Sequence, residues 1–435
     1  MSMRFFAVGG LSVLLLLASP VLAQEGPVTF EFSFSNPGAR SLGLAGAFAG
    51  LADDATAAFA NPAGLVQLLE PEFSIEGRTW SLDTEFVQGG RANGEPTGEG
   101  VDVFTGPKLG VSSSETSDVS FASFVYPAGP VSLAVYRHTW ADFQLNSRVD
   151  SLFGLVDGEL ERSEDILAST HVRVVNTGLA IGLKVSESFS LGLGAVYFDA
   201  VMDSFSAEHL QAEEDFFEAN PFTPELLETS YSYMSQSDGW VGHAGFLVQP
   251  SPRWSLGGFY RQGPELELRV LEVAGPAADE SEPGQIELDA VTPLRLPDVY
   301  GLGLALRTPA GGWTFSFEWA HVTYSSITDS LDTAVFDSNQ IVVEDGDELH
   351  AGIEYVFSRS DPIVGLRLGA WRDPDHRVSS GPEADTFEAA IFRGGGPEDH
   401  VSAGLGLVFP RVQLDLGLDV SDRAETASIS LVFRF

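Results

Sequence analysis

The chain has 435 residues, no cysteine, and 62 acidic against 23 basic side chains, a formal net charge of -39 at pH 7. So acidic a chain repels phosphate backbones, which argues against nucleic acid as a partner. With 44% apolar residues and 31 phenylalanines, it is too hydrophobic for soluble disorder, and the lack of cysteine excludes a disulfide framework.

Residues 1–23, MSMRFFAVGGLSVLLLLASPVLA, place Arg4 before an apolar run over residues 5–17 and close on Val21-Leu22-Ala23. This is the pattern of a secretory signal peptide cleaved before Gln24; an acylated lipoprotein signal would need a cysteine. Its removal leaves 22 bases against 62 acids, a net charge of -40. No other run approaches the roughly 20 apolar residues that a spanning helix requires, so helical membrane spans are not expected.

Residues 24–70 form the next unit. Its centre, AFAGLADDATAAFANPAGL (residues 47–65), joins small residues to the adjacent acids Asp53 and Asp54 and to the turn Asn61-Pro62-Ala63-Gly64. Pro62 disfavours helix at Asn61, and Gly64 permits a positive φ. The two acids fit anchors for this segment better than an acid pair or a cation site, with Arg40 as their candidate partner.

From residue 71 onward, period-2 segments recur between turns that are alternately short and long, the pattern of an antiparallel barrel with two unlike rims. VQLDLGLDV (residues 412–420) puts Val412, Leu414, Leu416, Leu418 and Val420 on one face, and Gln413, Asp415, Gly417 and Asp419 on the other. FSLGLGAVYF (189–198) and WTFSFEW (313–319) alternate likewise, so an apolar outside and a wet lumen are expected. Fourteen strands are predicted, beginning near residues 72, 118, 131, 166, 189, 229, 254, 285, 313, 347, 363, 397, 412 and 424. PAGP, PSPR, TPAGG and SRSDP make tight turns on one rim. Long polar connections at 88–116, 149–165, 208–228, 274–284, 330–346 and 379–396 make the other. The last segment, SISLVFRF, alternates up to the terminal Phe435 and resembles the closing strand of bacterial outer-membrane barrels. The expected fold is therefore all-β: a transmembrane antiparallel barrel over residues 71–435, with the helical unit of 24–70 as a hatch inside its lumen.

Few chemical motifs compete with this reading. Gly192-x-Gly194, Gly301-x-Gly303 and Gly404-x-Gly406 lie inside strand patterns and do not extend to a nucleotide loop, so they are small lumenal or bulge positions. The acid clusters at 213–215, 279–282 and 344–348 lack the spacing of a calcium loop. The eight histidines are scattered, with no HExxH, and no GxSxG is present. No catalytic residue, metal ligand or cofactor is assigned. Arg261 shares a face with Ser255 and Gly257, and Arg367 shares one with Gly365 and Gly369; each is a candidate for a ligand carboxylate or for pairing with lumenal acids such as Glu318 and Asp415.

Residues 30–80 resemble the N-terminus of the long-chain fatty-acid and hydrocarbon transporter family (FadL/TodX). The resemblance is carried by Gly38-Ala39-Arg40, the small residues 43–50, Ala52-Asp53-Asp54-Ala55 and Asn61-Pro62-Ala63. It continues through LPDVYGLGLALRTPAGGWTFSFEWAHVTYSSI (296–327), DELHAGIEYVF (347–357) and EDHVSAGLGLVF (398–409). It implies a monomeric outer-membrane barrel in a diderm bacterium, inserted by the barrel-assembly machinery among lipid and lipopolysaccharide. In that family hydrophobic small molecules bind among outer loops, pass to an inner pocket and leave sideways through a gap at a kink in the third strand. Here VSLAVYRHTWADF (131–143) has no interior Pro or Gly, although its alternation falters at Arg137, His138 and Thr139. Phe30, Phe32, Phe34, Phe48 and Phe59 are the candidate apolar lining; a continuous pocket formed by them would favour uptake. A polar, plugged lumen would favour a PorV-like adaptor barrel that holds protein partners in secretion, and an open lumen a general porin.

Overall fold

The computed structural model describes residues 36–211, 215–220, 222–274, 285–309, 312–331, 341–382 and 384–435. The expected signal peptide, Phe30, Phe32, Phe34 and the acid cluster at 279–282 lie outside them.

Fourteen antiparallel strands close into one barrel. They are β1 (Glu72–Arg91), β2 (Pro107–Ala128), β3 (Val131–Val149), β4 (Asp165–Ser186), β5 (Phe189–His209) and β6 (Leu227–Ser251). Next come β7 (Trp254–Arg261 and Glu265–Ala274) and β8 (Gln285–Arg295 and Val299–Arg307), each in two pieces. The wall is completed by β9 (Trp313–Val322), β10 (Gly346–Phe357), β11 (Ile363–Asp373), β12 (Glu398–Val408), β13 (Val412–Val420) and β14 (Ala424–Arg434). The last pairs back with the first, Glu72 opposite Arg434 and Phe73 opposite Phe433, so no sheet edge is left open. The breaks in β7 and β8 fall at Gln262-Gly263-Pro264 and Leu296-Pro297-Asp298, where Pro264 and Pro297 have no N–H to give the ladder.

The alternation is as the sequence predicts. Leu416, Leu418 and Val420 of β13 are exposed on the outer face, while Asp415 and Asp419 are buried inside. Leu191 and Leu193 of β5, Phe315 and Phe317 of β9, and Leu366 and Leu368 of β11 extend the apolar outer band. β2 begins at Pro107 rather than near 118, so the first long connection is shorter than expected.

Residues 36–71 enter the lumen from the start of β1. They hold two four-residue helices, α1 (Ala39–Leu42) and α2 (Ala57–Ala60), and a 3₁₀ turn (Pro62–Gln67), and the small residues 43–50 lie in turns between the helices. Nine inward-facing glycines, one on each of β4 to β8 and β10 to β13, let this backbone touch the wall. A Cβ on Gly192 would lie 2.1 Å from the Ala63 nitrogen, one on Gly257 2.0 Å from the Ala49 oxygen, and one on Gly303 2.6 Å from the Gly50 nitrogen. The Gly-x-Gly pairs thus supply seats for the hatch. Gly64 takes no positive φ; it is needed because a Cβ there would sit 2.2 Å from the Ala52 oxygen.

The wall is uneven where β2 meets β3. β2 and β3 pair through their backbones only from Phe121–His138 to Ala128–Val131, although both strands run on well beyond. β3 meanwhile pairs with β4 along its whole length, with a register shift between Thr139 and Ala141 that leaves Trp140 as the extra residue of a bulge. The bulge falls next to Arg137-His138-Thr139, where the sequence pattern falters. Above it, contacts between the two strands each use a side chain on at least one end: the Asn146 backbone N–H donates to Ser112 Oγ at 3.1 Å, and the Thr139 hydroxyl donates to Asp118 Oδ2 at 2.8 Å.

Candidate functional site

The hatch motif residues converge on an ion-pair chain that ties hatch to wall. Arg40 Nη1 donates to Asp53 at 2.6 Å and lies 3.6 Å from Asp54, while its Nε donates to Glu354 of β10 at 3.1 Å. Glu354 accepts in turn from Arg367 Nε at 2.7 Å, and Arg367 Nη1 donates to Asp415 at 2.6 Å. Arg307 of β8 closes the other end on Asp53 at 3.4 Å. Asp54, Glu354, Arg367 and Asp415 are buried, so removing the partner of one of them leaves an uncompensated charge, which costs more than the pair contributes. Arg367 is therefore committed to lumenal acids, the second of the two roles its position allowed.

The turn is anchored as firmly. Asn61 caps the 3₁₀ segment by accepting from the Ala63 N–H at 3.2 Å, and its amide donates to the carbonyls of Ala49 and Phe246, each at 3.0 Å. Ser190 of β5 donates to the Ala63 carbonyl at 3.0 Å. Glu318 of β9 accepts from the N–H groups of Phe48 and Ala49 at 2.9 and 2.7 Å.

Beside the hatch lies a cavity of about 90 Å³, lined by residues of the hatch, of ten barrel strands and of the loop after β11. At about 10–15 Å³ per water, that is room for roughly six to nine waters. Three tryptophans face it, Trp80 of β1, Trp140 at the β3 bulge and Trp371 of β11, together with Phe259 of β7. Four of the eight histidines meet there: His138, His350, His376 and His400. His350, Trp371 and His400 are opposite one another on β10, β11 and β12 and form a stack, with ring centroids 5.2 and 4.0 Å apart. Asp419 fastens its end, accepting from Trp371 Nε1 at 3.1 Å and facing His400 Nδ1 at 2.8 Å.

Arg261 lines the cavity but is already occupied. It donates to Asn36 Oδ1 at 2.5 Å and the Ala60 carbonyl at 3.1 Å, and its guanidinium lies over the rings of Phe59 and Phe259, at 4.4 and 4.2 Å. Phe59 packs beneath it against Tyr136, His138 and His243. Phe48 is fully buried with Leu44, Leu51, Ala60 and Ala305 and does not line the cavity. Among the described residues, the rings that line the cavity are those of the tryptophans, the histidines and Phe259, and neither Phe48 nor Phe59 is among them. The strand phase carried this signal unread: His350 shares a face with Gly352, Trp371 with Gly369, and His400 with Gly404.

His376, in the loop after β11, is buried among these groups. Burial pushes its imidazole down to about 4, so it is neutral at pH 7.

No protein-family model and no curated protein matches the sequence. What the geometry defines is a closed fourteen-strand barrel plugged by an N-terminal hatch and holding an aromatic lumenal cavity. Solved structures share that fold over nearly their whole length. A Pseudomonas aeruginosa FadL homologue is similar at 14% identity, with a TM-score of 0.62, over 92% of this chain and 98% of that one. The CymD monoaromatic hydrocarbon channel is similar at 15% identity and a TM-score of 0.58, over 93% and 99%. The Ralstonia pickettii toluene transporter TbuX matches at 13% identity and a TM-score of 0.58, over the same shares. The chain has the FadL-type barrel fold.

Proposed function

We propose that this protein is a passive outer-membrane channel for hydrophobic small molecules, with its short turns toward the periplasm and its long loops outside. The apolar outer band is the surface that meets lipid, and the polar lumen is that of a channel rather than of a soluble sandwich. Two of the neighbours named above are described as a monoaromatic hydrocarbon channel and a toluene transporter, which supports the same class of cargo here.

The observation that carries the reading is the meeting of an aromatic cavity with the stretch of wall between β2 and β3 where backbone pairing is missing. Trp80, His138, Thr139 and Trp140 line the cavity, and Thr139 also touches Asp118 across the β2–β3 separation. The hatch, seated on wall glycines and fastened by buried ion pairs, blocks the path straight down. A ligand leaving sideways enters lipid, where its transfer free energy is favourable, instead of crossing the aqueous lower mouth.

The native chain has no cysteine, so the exit is testable by linking its two sides. D118C/T139C joined by a short bis-maleimide is expected to cut uptake of the transported compound at least about fivefold while the unlinked double variant retains it. Equal uptake by linked and unlinked protein would remove the lateral route and leave the channel assignment to be judged by uptake itself.

A further inference from the structure

The cavity's polar groups are more selective than its rings. His376 is 4% exposed, and neither of its ring nitrogens has a hydrogen-bond partner among the described residues; Asp373 Oδ2 is its nearest carboxylate oxygen, at 3.7 Å from Nε2. His138 is 3% exposed with its Nδ1 likewise without a partner. Buried imidazole nitrogens are costly when nothing meets them. A neutral imidazole presents one donor and one acceptor, the pair of functions that a hydroxyl group answers.

The charges point the same way. Five carboxylates line the cavity, Glu318, Glu348, Asp373, Glu398 and Asp419, against the two guanidiniums of Arg78 and Arg261. Arg78 donates to Glu76 at 2.8 Å, and Arg261 is spent on Asn36 and Ala60. A ligand carboxylate would meet net negative charge here. The carboxylates in turn are engaged: Glu318 by two backbone N–H groups, Glu348 by His350, Glu398 by the Arg423 N–H, and Asp419 by Trp371 and His400, while Asp373 sits beside His376. That argues against a cation as the intended guest. A guest ring is matched by Trp80 and Trp140, at offset or edge-on geometry, Trp371 being stacked between His350 and His400.

We infer that the cavity receives a neutral single-ring aromatic carrying a hydroxyl group, a phenol, in preference to a fatty-acid carboxylate or a bare hydrocarbon. This rests on the uptake reading above and names its cargo. In the bound state the ring lies among the tryptophans, and the hydroxyl donates to or accepts from the His376 and His138 imidazoles. A bare hydrocarbon fills the same space but leaves those nitrogens unpaired, the condition under which binding sites discriminate most strongly.

The test is titration calorimetry on the purified full chain in detergent with p-cresol, toluene, benzylamine and decanoate. p-Cresol and toluene differ only by the hydroxyl. p-Cresol is expected to bind at least about tenfold more tightly than toluene, with benzylamine and decanoate weaker than p-cresol. In His376→Leu the hydroxyl advantage should shrink to within about twofold while toluene affinity is kept, and His138→Phe should reduce it in the same sense. Should either variant fail to fold, the wild-type ratio alone decides. Toluene binding as tightly as p-cresol, or decanoate or benzylamine binding tightest, overturns the inference while leaving hydrophobic uptake standing. No binding by any of the four, with no gain in cellular uptake, overturns both.

Discussion

Single residues set how closely the hatch and wall approach. At Gly257 an added Cβ would meet the Ala49 carbonyl oxygen at 2.0 Å, a backbone atom that cannot swing aside. Gly257→Val is therefore expected to lower barrel stability by about 1–3 kcal/mol or to expel the hatch segment. Thermal unfolding in detergent with trypsin digestion of the hatch measures this. Gly77→Ala is the control, since only an Ile429 methyl at 3.7 Å lies near; equal behaviour of the two variants would count against the packing account. His376 carries a pH prediction. Its folded-state pKa near 4 lies below the ordinary value of 6.5 because burial disfavours the charged form. Between those values the opened state binds more protons than the folded one, so stability falls as pH drops from about 6.5 toward 4. Hydrogen exchange over residues 374–382 should accelerate across that window in the wild type more than in His376→Leu; identical pH profiles would show that His376 is not buried as described.

At the scale of elements, the sequence made the strands legible because membrane barrels repeat one simple contrast, apolar outside and small or polar inside, at every second residue. β13 and β9 carry it without interruption. β2 hid its first half because PKLGVSSSETSD is serine-rich on both faces beyond the apolar band, which looks like loop. The hatch was visible through its small residues and Asn-Pro-Ala turn, and Arg40 was correctly paired with its acids on composition alone. Its path was not: two four-residue helices cannot be seen as periodicity, and the role of Gly64 depends on a carbonyl twelve residues away. The cavity was the least legible part. His138, His350, His376 and His400 lie on four different elements, so nothing local in sequence joins them, and Phe48 was misplaced because an apolar residue in a hatch faces its own core as readily as the lumen.

For the whole molecule, two arrangements act together. A hatch fixed by Arg40, Glu354, Arg367 and Asp415 fills the lumen, while backbone pairing in the wall that holds it lapses at the seam between β2 and β3 beyond Phe121–His138. A protein-binding adaptor would have no use for an aromatic chamber at that seam, and a general porin would lack the hatch. The three classes separate in one experiment. Cells of a diderm host lacking its own hydrophobic channels, with and without this chain, are given radiolabelled p-cresol, toluene, decanoate and a small sugar. A several-fold faster uptake of an aromatic compound with unchanged sugar entry is the predicted result. No change for any compound, or an equal rise for the sugar, would contradict the assignment of this barrel as a channel for hydrophobic molecules.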